Sequence, residues 1–100
     1  MGKKEIIEGV REFKKDVEKE FGIERMFIFG SAARGKMGAD SDIDILIVGK
    51  KFFKRAPGLR SHWKLGYPVD FLCYTPEEFN RFRKMVTIVK EAAEEGIEIS

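Results

Sequence analysis

Residues 30–48 read GSAARGKMGADSDIDILIV, and the fold of the chain is read outward from them. The stretch follows an apolar run, Met26 to Phe29, and opens on the pair Gly30-Ser31. It then passes two more glycines, Gly35 and Gly38, and ends with Asp42 and Asp44 on an apolar strand. Two positions apart on a strand, the two carboxylates point to one face while Ile43 points to the other. No Lys or Arg stands between them. At an effective dielectric of about 20, two unit charges about 4 Å apart repel by roughly 4 kcal/mol. Such a pair persists if one member is protonated, if both are well solvated, or if a cation lies between them. Only the last arrangement does chemistry.

The rest of the composition is that of an ordinary globular chain. One hundred residues suit one domain spanning 1–100, with 43% hydrophobic and 36% charged residues. A net charge of +2 does not by itself argue for nucleic-acid binding. The lone cysteine, Cys73, lies in an apolar run, which suits a buried small side chain and rules out an internal disulfide framework. No run of about 18 apolar residues is present, and the N-terminus is charged, so a soluble cytoplasmic protein is expected.

Upstream of the stretch, Ile6, Val10, Phe13, Val17 and Phe21 recur at helical spacing. The spacing predicts a helix over 4–21 with its stripe on the core, capped by Gly22. Met26 to Phe29 reads as a strand, and Ser31 as the cap of a short helix, Ala32 to Arg34. Downstream, Ile43 to Val48 is a buried strand in which Asp44 needs a reason. Between Asp44 and Asp70 there is no acidic residue, but Lys50, Lys51, Lys54, Arg55, Arg60, His62 and Lys64 all occur. These cations suit either a solvated surface or contact with phosphate or an acidic partner. Trp63 reads as packing on the sheet and Phe52-Phe53 as core or a partner contact. Val69 to Tyr74 is a third strand, carrying Asp70. Thr75-Pro76-Glu77-Glu78 is a helix start with N-cap, Pro and capping Glu in order. Phe79, Phe82, Val86, Val89 and Ala93 predict one helix running to Gly96. The tail Ile97-Glu98-Ile99 alternates like a short edge strand. The order helix, strand, short helix, strand, basic loop, strand, helix predicts an α/β layer, one sheet covered by helices.

If the second and third strands are neighbours, Asp42, Asp44 and Asp70 can converge. Their oxygens suit Mg²⁺, a hard cation that takes a few carboxylates and keeps water or phosphate as its other ligands. Two ions about 4 Å apart can hold the attacking and leaving oxygens of an in-line displacement at phosphorus. The Gly-Ser turn at a helix start supplies N–H groups and a hydroxyl for phosphate. The coincidence argues for phosphoryl or nucleotidyl transfer. Other readings fail on the residues. Asp40, Asp42 and Asp44 mimic the start of a Ca²⁺ loop, but Ile45 stands where Gly is required and Lys51 where Glu is. Gly35-Lys36-Met37-Gly38 has the form of an RNA-clamping GXXG turn, yet it abuts acids that would repel a nucleic-acid backbone. No Walker loop is present, and His62 has no companion for a zinc site.

Gly30-Ser31, Ala33-Arg34-Gly35 and Ser41-Asp42-x-Asp44 together resemble the signature of the DNA polymerase β-like nucleotidyltransferases, in particular their minimal single-domain branch. The resemblance covers nearly the whole chain, with Val69-Asp70-Phe71 at the third-carboxylate position. It implies a single mixed β-sheet flanked by helices, the palm-like α+β fold of that superfamily. It also implies that Asp42 and Asp44 bind two Mg²⁺ ions, and that Asp70 completes the site activating the acceptor hydroxyl. Gly30 and Ser31 would hold the nucleotide's outer phosphates. Arg34 would touch phosphate or brace the loop, and Ser41 would orient it. The donor would be an NTP, with ATP the expected one. Larger relatives carry a further domain for the acceptor; here a partner protein or a second copy would complete the pocket. The branch resembles the antitoxin half of modules in which such an enzyme transfers AMP to a tyrosine of a helical HEPN protein. Two other readings stand beside the enzyme: a vestigial nucleotidyltransferase fold that only binds a partner, and a nucleic-acid binder acting through 49–67.

Overall fold

A computed structural model describes residues 2–36, 38, 41–51 and 58–100. Its first helix, α1 (Lys3–Phe21), buries Ile6, Val10, Phe13, Val17 and Phe21, the stripe that the spacing predicts. Gly22 ends it in the left-handed conformation at φ 62°, its N–H donating to the Glu18 carbonyl. Strand β1 (Ile23–Phe29) follows at once, three residues longer than its apolar run because Ile23 is buried and Glu24 and Arg25 pair at the sheet margin. Then come α2 (Gly30–Ala33), β2 (Ile43–Gly49) and β3 (Val69–Tyr74). The chain closes with α3 (Pro76–Phe82), α4 (Thr87–Glu95) and β4 (Ile97–Glu98).

The four strands form one mixed sheet in the order β3-β2-β1-β4. β1 is antiparallel to both β2 and β4, while β2 and β3 run parallel. Pleating sends alternate residues of each strand to opposite faces. Met26, Ile28, Ile43, Ile45 and Ile47 therefore meet α1, and Phe27, Phe29, Leu46 and Val48 meet Phe79 of α3 and Val89 of α4. A sheet buried on both faces explains why β2 is apolar nearly throughout. Trp63 packs edge-on against Phe13 and Phe71, with ring centroids 5.4 and 6.0 Å away, and its Nε1 donates to the Tyr67 carbonyl at 2.8 Å. The packing on the sheet read from the sequence is present.

Two local readings need correction. Ser31 is not an N-cap: α2 starts at Gly30, its N-cap is Phe29, and no side chain caps it. The predicted final helix is two helices, split at 83–86. Thr75 and Glu78 form the expected reciprocal capping box for α3. The break falls where Val86, Thr87, Ile88 and Val89 form a β-branched run, whose side chains lose rotamer freedom against the preceding turn. Val86 adopts an extended conformation (φ −105°, ψ 118°), and α4 restarts in a direction that buries Val89 and Ala92. Phe52 and Phe53, with Lys54 and Arg55, lie outside the described residues.

Candidate active site

Asp44 is the second residue of β2 and shares its pleat parity with Leu46 and Val48, so it belongs to the face covered by α3 and α4. On that face the residue beside it on β3 is Asp70, directly in register across the parallel ladder. On its other side is Phe29, the last residue of β1. Asp42 precedes β2 by one residue. The strand order thus brings the three carboxylates to one corner, where β1 ends and β2 and β3 begin.

Gly30 closes this corner from the β1 side. Its φ is +70°, and a Cβ built there would lie 2.5 Å from Asp44 Oδ2. Any side chain there would force the Asp44 carboxylate to shift, and the positive φ itself favours glycine. Asp44 is half-buried, and its carboxyl is raised above the ordinary value of 3.8. Burial is the largest cause, followed by the charges of Asp70 and Asp42; Arg34 opposes them and Glu91 adds to them. Asp42 and Asp70 are exposed, so the site opens to solvent on the β3 side.

The loop after α2 turns back through short bonds. Lys36 N–H donates to the Ser31 carbonyl at 2.9 Å, and Gly38 N–H donates to Ser41 Oγ at 2.9 Å. Ser41 therefore orients the loop, as its position beside Asp42 suggested. Ser31 is the second residue of α2, next to Gly30, and is half-buried. Arg34 braces: its guanidinium meets Glu91 of α4 at 3.3 Å and ties the short helix to the long one. Glu91 is the site-adjacent residue that sequence reasoning missed. It stands 47 positions after Asp44, and nothing in its helical context sets it apart.

A cavity of about 210 Å³ opens beside the corner, lined by Phe29, Gly30, Ala33, Arg34, Glu91, Glu95 and Gly96. A larger groove of about 630 Å³ runs between α1 and residues 62–66, but the sheet separates it from the aspartates. The described cations of the basic segment lie toward that groove or the sheet margin. Lys50 pairs with Glu24 at 3.5 Å, His62 lies 3.8 Å from Glu20, Lys64 lies 3.9 Å from Asp16, and Arg60 donates to the Val69 carbonyl at 3.0 Å. These contacts join the segment to α1, β1 and β3.

Carboxylate oxygens on two adjoining strands, with burial and then mutual repulsion raising one of them, match the donor chemistry of a hard divalent cation. The fit lies in backbone register and donor type. Among the described residues no three acidic, histidine or cysteine side chains are already closed into an ion-holding cluster.

A four-stranded mixed sheet with paired aspartates beside a Gly-Ser turn is an architecture of nucleotidyl transfer, and the comparisons agree. The profile of the nucleotidyltransferase domain family matches residues 10–99, and the chain belongs to that family. A Methanocaldococcus jannaschii protein named "putative protein adenylyltransferase" is 45% identical over 49 residues, which cover 47% of this chain and 50% of that one. The chain thus matches about half the length of that relative. The crystal structure of a "putative nucleotidyltransferase" from Sulfolobus solfataricus superposes with a TM-score of 0.58 at 31% identity, over 79% of this chain and 75% of the other. Among the described residues no helix is long and apolar enough to cross a membrane.

Proposed function

We propose that the chain is a Mg²⁺-dependent nucleotidyltransferase that moves a nucleoside monophosphate, AMP from ATP, onto a hydroxyl of a partner protein or small molecule. The observation that carries this reading is the in-register pair Asp44 and Asp70, with Asp42 beside them and the Gly30 backbone against Asp44. The Methanocaldococcus jannaschii relative, by its name, supports adenylyl transfer to protein. A HEPN-type helical protein as acceptor, with this chain as the antitoxin of the module, is the specific form that the family resemblance supports.

In this mechanism Gly30 and Ser31 orient the outer phosphates, and Asp42, Asp44 and Asp70 would hold two Mg²⁺ ions. When bound, the ions supply charge neutralisation along the triphosphate and at the attacking oxygen. Asp70, exposed at the solvent side, orients the acceptor hydroxyl and takes its proton. The hydroxyl oxygen forms a bond to the α-phosphorus, and the bond from that phosphorus to the bridging oxygen breaks. Pyrophosphate leaves with the electron pair, and the proton on Asp70 passes to water. Arg34, held by Glu91, keeps α2 in place while this happens.

The test is transfer from ATP labelled at the α-phosphate, with Mg²⁺, in lysate of the source organism. Label on an acceptor is expected from the parent chain and not from Asp42→Asn/Asp44→Asn. Equal labelling by that variant would overturn the proposal.

A further inference from the structure

The split between α3 and α4 leaves an apolar knob in water. Met85 is 73% exposed, Val86 38% and Ile88 43%, and these are the large apolar side chains exposed among the described residues. Val86 and Ile88 belong to the β-branched run at the break, so the chain gives up helix and core burial there together. A local choice that opposes the fold is expected where a surface has another use.

The charge of the segment that carries the knob is one-sided. From Phe79 to Lys90 the sequence carries Arg81, Arg83, Lys84 and Lys90 and no acid, in a chain with 17 acidic residues. Lys14, Arg25, Arg34, Lys50 and Lys64 stand in ion pairs. Among the described residues none of Arg81, Arg83, Lys84 and Lys90 does; Arg81 lies over the Phe82 ring at 4.7 Å and Arg83 over Phe79 at 5.1 Å. An apolar centre with a basic rim, closed by Glu91 on the cavity side, is the composition of a protein-binding patch.

Its place in the fold links it to the site. Ile88 and Glu91 are three residues apart on α4 and so neighbours on its surface. Glu91 lines the 210 Å³ cavity and acts on the charge of Asp44. A partner seated on Met85, Val86 and Ile88 would lie one helical turn from the cavity mouth.

We propose that this knob docks the protein that receives the nucleotide, through a partner helix with an apolar stripe flanked by Asp and Glu. The proposal rests on the protein-acceptor reading above. A phosphate backbone offers no seat for three apolar tips. A lipid surface is the other class of partner, and the vesicle arm of the test below distinguishes it.

The probe is a synthetic amphipathic helix of about 18 residues with Leu on one face and Glu on the other, titrated into the isotope-labelled full chain. Amide shifts are expected to cluster at 81–90, and a Lys-for-Glu version of the peptide should not bind. Met85→Asp/Ile88→Asp and, separately, Arg81→Glu/Lys84→Glu should each weaken binding about tenfold or more, and the second should flatten its salt dependence. Both variants should keep the parent's thermal shift with ATP and Mg²⁺. Asp42→Asn/Asp44→Asn should keep peptide binding, so failure of the chemistry and failure of the docking are read separately. Absent binding, shifts outside the knob, or equal binding by the variants would overturn the proposal. So would engagement of the same residues by phosphatidylserine vesicles in place of the peptide, or self-association through the knob.

Discussion

Asp44 of β2 and Asp70 of β3 stand opposite each other in a parallel ladder, on the sheet face that α3 and α4 pack against. Parallel pairing in that register puts their Cα atoms about one strand spacing, roughly 4.8 Å, apart. The carboxylates come from segments 26 residues apart, so their repulsion is a property of the fold.

Asp44→Asn should stabilise the chain. Burial first, then Asp70, raise the folded-state carboxyl above its ordinary value of 3.8. Between the two values the native state binds more protons than the unfolded one, so stability falls as pH rises through that window and stays lower above it. The variant's Tm, measured in EDTA, should exceed the parent's near pH 7, with the gap closing toward about pH 3. A lower Tm for the variant at neutral pH would contradict this account.

Gly30→Ala should cost more than Gly58→Ala. Both glycines have positive φ, +70° and +84°, and so share a left-handed penalty of about 1–2 kcal/mol. Among the described residues only Gly30 brings the new Cβ onto an atom, Asp44 Oδ2; at Gly58 none of them lies within 4 Å. Urea unfolding of the two variants should differ by about 1 kcal/mol or more, since a forced contact adds overpacking strain. Equal losses would show that the corner relaxes freely.

Below the ordinary carboxyl value of 4.5 the edge strand should loosen. Arg25 Nε and Nη2 each donate to Glu98 at 2.9 Å, and β4 pairs with β1 at only two register positions. The Arg25 hydrogen bond holds the Glu98 carboxyl below its ordinary value of 4.5. Its contribution is present above that value and lost as pH falls through the depressed one. The Ile99 amide, bonded to the Met26 carbonyl at 2.8 Å, should then lose exchange protection in acid relative to core amides. Glu98→Gln should remove the pH dependence; an unchanged dependence would assign it elsewhere.

Cys73 should resist thiol reagents in the folded chain. Burial pushes its thiol up to about 11, and the thiolate is the reactive form. Alkylation near pH 8 should be slow natively and fast in denaturant. Rapid native labelling would show that β3 opens.

Much of this was legible in order along the chain because its causes are local. The five apolar positions of α1, the capping box at Thr75 and Glu78, and the alternation before Ser100 each carry their own periodicity or hydrogen-bond chemistry. The split after Phe82 was hidden because apolar spacing alone reads Val86 as core, while the β-branched run turns the helix there. Glu91 was hidden because a glutamate on a helix gives no sign of the arginine it will meet.

The sequence by itself determined which residues could form a site: a Gly-Ser turn, two aspartates two apart on an apolar strand, and a third on a later one. The tertiary structure alone decided that they share it, by laying β3 beside β2 in parallel with Asp70 in register. A one-residue slip would have turned Asp70 to the α1 face. That register is set by side chains packing from both faces of the sheet, a long-range energy that no local stretch contains.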